Sequence, residues 1–358
     1  MTTYTASDVL RVAKRFNNAR RNYLLVNPLQ GKHLPVSPTA ALNMMDALGN
    51  LVAEKFSDAR LVIGFAETAT AVGACVAKKI SGECFYLQTT REDFSGTFVE
   101  FMEEHSHAPE QKLFAEGLDA LIDSTAAVVF VDDELSTGRT LLNIVRQLKR
   151  QFPALIGKRI CAASIINRLS AENLATLAAE GITCVSLVRL NETFDAEKFS
   201  VTAAQTVTPI NESVTVRAID VADARRGVVI GEYFRQCDAA ASIVSDIVDG
   251  ASSLVVLGTE EFMLPAIVIG RRLEKNFSVV THSTTRSPIG IGGEDYPIRS
   301  GFKLRSFYDA TRTTFIYNLQ HYDAAVIVTD AKNFSDGLAD LLGALKVHGV
   351  EKIFLVRC

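Results

Sequence analysis

Chemistry is concentrated where an apolar run meets two adjacent acids. Residues 128–140, VVFVDDELSTGRT, pass from four apolar residues to Asp132 and Asp133, then to a loop of small residues and a helix start near Arg139. A parallel strand buried on both faces would deliver the two aspartates to the carboxyl end of its sheet, where open α/β folds place ligands. There their carboxylates can accept hydrogen bonds from vicinal sugar hydroxyls, each contributing about 1.5–3 kcal/mol. Ser136, Thr137, Gly138, Arg139 and Thr140 follow with hydroxyls and backbone N–H groups at a helix N-terminus, a natural cradle for a phosphate. Gly138 lets the backbone approach closely. The competing reading is an ordinary strand with an Asp-rich turn. Other phosphate motifs are missing: there is no GxxxxGK[ST], and the glycines around Ile291 do not complete GxGxxG.

These residues need a scaffold, and the chain supplies its pattern twice. Short apolar runs rich in β-branched residues alternate with segments of helical period, the signature of a parallel sheet wrapped by helices. Strands are expected near 23–26, 61–64, 84–87, 128–131, 160–165 and 183–187, and a helix from Pro38 to about Phe56, capped by Ser37. Residues 1–14 read as a polar, capped helix. Periodicity fades over 191–223, a polar, Thr-rich stretch, and returns with strands expected near 254–257, 279–281, 314–317, 325–328 and 353–356. The halves also match each other: LVIGFAET (61–68) with LVVLGTEE (254–261), QTTRE (88–92) with STTRS (283–287), and AAVVFVDDELSTG (126–138) with AAVIVTDAKNFSDG (324–337). Order and spacing are kept, which points to duplication of one α/β unit. The expected organisation is a first domain over 1–195, a linker over 196–222 and a second, related domain over 223–358.

Length and composition agree. At 358 residues the chain exceeds what one core usually supports. A hydrophobic share of 48% with 22% charged residues is that of a globular protein, and a net charge of −4 argues against a nucleic-acid surface and favours small-molecule chemistry. The six cysteines have no close paired spacing and sit mostly in apolar runs, suggesting a reducing compartment. No apolar run approaches membrane-spanning length, so a cytoplasmic location is expected.

Residues 128–140 resemble the phosphoribosyl pyrophosphate loop of type I phosphoribosyltransferases: apolar strand, two acids, two mostly apolar residues, then a short Thr/Gly/Thr phosphate loop. Glu134 departs from that pattern, standing where the family usually has an apolar residue, and its carboxylate is left facing metal or solvent. The resemblance implies a type I phosphoribosyltransferase-like parallel sheet and a Mg²⁺-dependent transfer of a phosphoribosyl group to a nitrogenous, nucleobase-like acceptor, with the metal held mainly through substrate. Asp132 and Asp133 would hold the ribose, Ser136 to Thr140 the 5′-phosphate. NPLQGKHLP (27–35) resembles the early turn of orotate phosphoribosyltransferases and makes Lys32 a candidate for the hood over the base; the alternative is a solvated lysine on a Gly turn. Ala66, Glu67 and Thr68 fall where the family's pyrophosphate loop lies, although Glu67 could simply offset a helix dipole. Thr90 and Arg91 fall where a basic residue meets pyrophosphate, Arg91 having the donor fork for it. Residues 93–112 correspond to the mobile loop that closes over the reaction. His105 and His107 within it lack the further spacing of a zinc site and read as loop histidines.

STTRSPIGIGGEDYPIRSGF (283–302) resembles the domain named for its Thr-Arg-Ser-Pro run, here 285–288, which accompanies phosphoribosyltransferases in tellurite-resistance-type stress operons. The repeat puts Ala331 opposite Asp133 and Lys332 opposite Glu134, so a second identical site is not expected. Arg286, Ser287 and Arg299, in a loop expected over 284–312, are candidates for anion binding, against the reading of solvated arginines on plain turns. Expected partners are phosphoribosyl pyrophosphate and a nucleobase-like small molecule, without nucleic acid or membrane; a homodimer is allowed. A non-catalytic phosphoribosyl pyrophosphate-binding regulator, a pyrophosphokinase-like enzyme and a partner-binding module remain as alternatives.

Overall fold

The computed structural model describes residues 3–16, 22–101 and 111–358. The first half runs α1 (Ala6–Val9), β1 (Arg11–Lys14), β2 (Tyr23–Val26), α2 (Pro38–Phe56), β3 (Leu61–Gly64), α3 (Thr70–Ile80), β4 (Phe85–Gln88), β5 (Phe98–Phe101), β6 (Gln111–Phe114), α4 (Leu118–Ser124), β7 (Ala127–Leu135), α5 (Arg139–Gln151), β8 (Arg159–Asn167), α6 (Ala171–Ala179) and β9 (Ile182–Arg189). It continues with β10 (Gln205–Thr206), β11 (Thr215–Ala218), β12 (Val228–Val229), α7 (Ile230–Ile247), β13 (Ser253–Gly258), α8 (Leu264–Leu273), β14 (Ser278–Ser283), β15 (Gly301–Arg305), β16 (Thr313–Tyr317), β17 (Ala324–Thr329), α9 (Ser335–Val347) and β18 (Lys352–Arg357). No helix among the described residues is long and apolar enough to cross a membrane.

Packing forms two compact units, neither continuous in sequence: residues 1–6, 43–192 and 222–235 make the first, and 7–42, 193–221 and 236–358 the second. It thus cuts across the sequence order 1–195, 196–222, 223–358. In the first unit the sheet runs β12-β4-β3-β7-β8-β9, parallel except for β12, which pairs antiparallel with β4. Its centre is apolar on both faces, as β3 (all four residues buried) and Ala127 to Val131 of β7 show. Leu141, Ile144, Val145 and Leu148 of α5, spaced to share one helix face, pack into the same core as Val128, Phe130 and Ile160. Each such fully buried side chain contributes about 1.5–3 kcal/mol. Between β3 and β7 the strand order reverses direction, the place where an open α/β sheet leaves a crevice at its carboxyl edge.

The second unit repeats the plan. Its sheet runs β11-β18-β17-β13-β14, all parallel, with the corresponding reversal between β13 and β17. Backbone hydrogen bonds fall at matching places in the two units. Thr89 N–H donates to Gly64 O and Thr284 N–H to Gly258 O. Thr90 exchanges a backbone pair with Lys112, and Thr285 with Phe315. An antiparallel hairpin follows in each, β5–β6 in the first unit and β15–β16 in the second.

Three sequence expectations are corrected. Helix over 1–14 gives way after Val9 to β1, because the β-favouring run YLLV of β2 takes Arg11 to Lys14 as its antiparallel partner. The stretch 93–112, whose poor periodicity reads as loop, contains strand: Phe98 pairs with Phe114 and Phe101 with Gln111, an aromatic-rich antiparallel pair. The loop expected over 284–312 contains β15. The helix over 38–56 stands as expected, Ser37 Oγ accepting from Ala40 N–H at 3.3 Å.

Candidate active site

The acidic pair rides further along its strand than the apolar run suggested. β7 continues to Leu135, so Asp132, Asp133 and Glu134 lie within it, half-buried, with Asp132 opposite Ser164 of β8. Asp133 N–H donates to Asp132 Oδ1 at 2.9 Å, and the Thr68 hydroxyl hydrogen-bonds the Asp133 carboxylate. The Asp132 carboxyl is held well above the usual carboxylate range, first by lost hydration and then by the negative charge of Asp133. Asp133 is also raised, chiefly by lost hydration, with the charge of Glu134 adding and the bonds from Asp132 and Thr68 opposing. Glu134 itself pairs with Arg168 at 3.0 Å, both side chains 12% exposed. Two crowded carboxylates at the crevice edge favour whatever brings them hydroxyl donors or positive charge.

The phosphate-cradle residues follow at once. Gly138, with φ +73°, is the N-cap of α5 and has no side chain with which to cap it. A Cβ at Gly138 would come 3.0 Å from Leu177 Cδ1 and 3.1 Å from Leu169 Cδ2, so this glycine is required by its left-handed backbone and by close packing. Ser136 is half-buried and Thr137, Arg139 and Thr140 are exposed; Arg139 N–H reaches Thr137 Oγ1 at 3.4 Å.

On the other side of the switch point lies the loop after β3. Ala66 and Glu67 are buried and joined by a cis peptide, and Thr68 turns to Asp133. Ala66 N–H donates to Thr89 Oγ1 at 2.8 Å, so that donor is used internally to hold the loop. Thr90 is fully buried, its hydroxyl accepting from Glu92 N–H at 2.9 Å, while Arg91 between them is exposed. The structure therefore places 65–68 just after β3 and 132–140 at the end of and just after β7, the two paired strands of the switch point, with Arg91 three residues beyond β4.

A family model described as "Phosphoribosyl transferase" matches residues 9–216. The chain belongs to this phosphoribosyl transferase family. A second model, the TRSP domain C-terminal to that transferase domain, matches 224–345. Among solved structures the transferase resembles orotate phosphoribosyltransferase from Aeropyrum pernix, at 18% identity over 51% of this chain and 89% of that one, TM-score 0.34. It also resembles adenine phosphoribosyltransferase from Leishmania donovani (16% identity, 55% and 84% covered, TM-score 0.36). A third is the Giardia lamblia enzyme in complex with 9-deazaadenine (15%, 53% and 100%, TM-score 0.35). Curated proteins gave no match.

The remaining candidates of the transferase are placed differently. Lys32 belongs to the second unit, fully buried, its ammonium donating to Glu260 O at 2.5 Å and Thr284 O at 3.0 Å. Arg286 there donates through Nε to Glu260 Oε2 at 2.9 Å. Ser287 N–H bonds Thr285 Oγ1 at 3.2 Å, and Arg299 is exposed, lining a cavity of about 270 Å³ with Pro28, Pro297 and Asn318. Arg286 and Arg299 are thus in different surroundings despite their closeness in sequence. His105 and His107 lie outside the described residues. Among the described residues no group of three or more His, Cys, Asp or Glu could hold a metal ion unaided. Sequence reasoning missed Glu260; its signal was an acid in the loop that repeats 65–68. It also missed Arg168, for which the sequence carried no signal.

Proposed function

We propose that this enzyme transfers the phosphoribosyl group of phosphoribosyl pyrophosphate to a nitrogenous, nucleobase-like acceptor, releasing pyrophosphate, and that it uses Mg²⁺. The observation that carries the reading is the acidic pair: Asp132 and Asp133 stand together at the switch point, Asp132 raised in pKa by burial and the charge of Asp133, Asp133 by burial and the charge of Glu134, shortly before a helix N-terminus whose N-cap is Gly138. Their carboxylates would take the ribose hydroxyls, and residues 136–140 the 5′-phosphate. Thr68 would keep Asp133 oriented, while Arg91 offers its fork to the pyrophosphate. The donor set suits Mg²⁺, which binds one or two carboxylates together with substrate phosphates and water; Asp132 and Asp133 are the residues that would meet it. When bound, the metal would neutralise charge on the departing pyrophosphate. The protein's own contribution is positioning and charge, with no covalent step on a side chain. The cytoplasmic setting, the homodimer and the stress-response context implied by the resemblance belong to this same proposal.

The test is calorimetric titration of phosphoribosyl pyrophosphate with Mg²⁺ into the wild type and Asp132→Asn/Asp133→Asn. Binding that disappears in the double variant supports the reading and justifies screening acceptors for pyrophosphate release. A wild type that does not bind, with or without candidate bases, overturns it.

A further inference from the structure

The repeated architecture gives the second unit its own version of the crevice between β13 and β17, and one side chain has changed what that crevice can take. Glu260 N–H donates to Thr284 Oγ1 at 3.0 Å, as Ala66 N–H does to Thr89 Oγ1, so Glu260 stands where the first unit has Ala66. Arg286 follows Thr285 as Arg91 follows Thr90. In the first unit this pairing of loop and arginine is the proposed pyrophosphate position. In the second unit the residue at the corresponding loop position is Glu260, and it is fully buried. It accepts from Arg286 Nε at 2.9 Å, Ser306 Oγ at 2.6 Å and Phe307 N–H at 3.3 Å, and Arg312 lies 3.8 Å away. Two guanidinium groups, a hydroxyl and a backbone N–H converging on one oxyanion is the donor set of an anion site. The anion here is part of the chain.

We infer that Glu260 occupies, from within, the oxyanion position of the second unit, so that this unit refuses diphosphate-bearing ligands and the chain offers one pyrophosphate site. The backbone supports a built feature. Glu260 has φ +48°, a left-handed conformation uncommon for a residue with a Cβ, and Lys32 fixes the same loop through Glu260 O and Thr284 O. The carboxylate balances the arginine charge that would otherwise attract phosphate. Arg286, a candidate anion binder from sequence, already has its anion.

The comparison with the first unit rests on the proposed function, and the test separates the two. Inorganic pyrophosphate is titrated calorimetrically into wild type, Glu260→Gly, Glu260→Gln, Arg286→Gln and Glu260→Gly/Arg286→Gln. Glycine both vacates the space and suits φ +48°; glutamine keeps the shape and removes only the charge. Wild type should bind one pyrophosphate per chain, Glu260→Gly two, and the double variant one again; Arg286→Gln alone should leave wild-type binding unchanged. Pyrophosphate should raise the Tm of both Glu260 variants more than that of wild type. One site in Glu260→Gly with no added thermal protection in either variant overturns the inference while leaving the proposed function standing. No site in wild type but one in Glu260→Gly sinks the proposed function and supports the inference. Two sites in wild type, one of them lost in Arg286→Gln, shows that the position is open and also overturns it.

Discussion

The Glu134 carboxylate lies 3.0 Å from a guanidinium nitrogen of Arg168, joining the strand that carries the acidic pair to the end of its neighbour. The departure from the family's usual apolar residue therefore has a structural use: it ties β7 to the segment after β8 beside Asp133. Glu134→Gln should cost about 1–3 kcal/mol in urea denaturation, the loss of one charge-assisted bond in a mostly buried setting, yet leave phosphoribosyl pyrophosphate binding measurable by calorimetry. Loss of binding without loss of stability would place Glu134 on the ligand instead.

The crowded acids predict an unusual pH response. Both have folded pKa values above those of the unfolded chain, so the stability they contribute is fully present below the ordinary carboxylate range and is lost as pH rises through the raised values. Asp132→Asn should flatten this fall and raise the Tm of the ligand-free protein at pH 7, while abolishing donor-substrate binding. Binding to wild type should strengthen over the same rise in pH, because ligand hydroxyls and cations prefer the ionised pair. A lower Tm for Asp132→Asn at pH 7 would contradict the crowding argument.

Gly138 joins backbone and packing at one atom. Alanine there must adopt φ +73° and push its Cβ against Leu177 and Leu169, a conformational cost of about 1–2 kcal/mol before any clash. Gly138→Ala should lower stability by at least that amount. It should also weaken donor-substrate affinity, up to about 100-fold if the loop moves by an ångström. Unchanged affinity, measured by calorimetry, would remove residues 136–140 from the phosphate position.

Legibility followed the range of the interactions. The central strands of both sheets and the helix over 38–56 were readable because burial on both faces writes continuous apolar runs and because Ser37 and Pro38 mark a helix start locally; the exposed edge strand β11, in the stretch read as a linker, was not. The acidic pair and its glycine were readable for the same reason, being contiguous on one strand and turn. What could not be read depends on partners far away in sequence. Arg11 to Lys14 become a strand only because Tyr23 to Val26 pair with them, the 98–101 arm needs 111–114, and Glu134 needs Arg168. Lys32 is the sharpest instance: a lysine after a glycine turn looks solvated, and nothing local reveals that two carbonyls more than two hundred residues away bury it.

That lysine supports the last prediction. Fully buried, it donates to Glu260 O and Thr284 O, and replacing it leaves two carbonyls without their charged donor. Lys32→Met, similar in length and apolar, should destabilise the protein by about 2–4 kcal/mol in chemical denaturation, the range for losing charge-assisted bonds at buried acceptors. The hood role implied by the resemblance to orotate phosphoribosyltransferases predicts a different pattern: near-normal stability with a loss of turnover. Measuring denaturation and, once an acceptor is found, kcat on the same variant decides between them. A stable, inactive Lys32→Met would mean that its ammonium leaves Glu260 to meet substrate. An unstable one, with kcat per folded molecule preserved, makes Lys32 the fastening of the second unit's crevice.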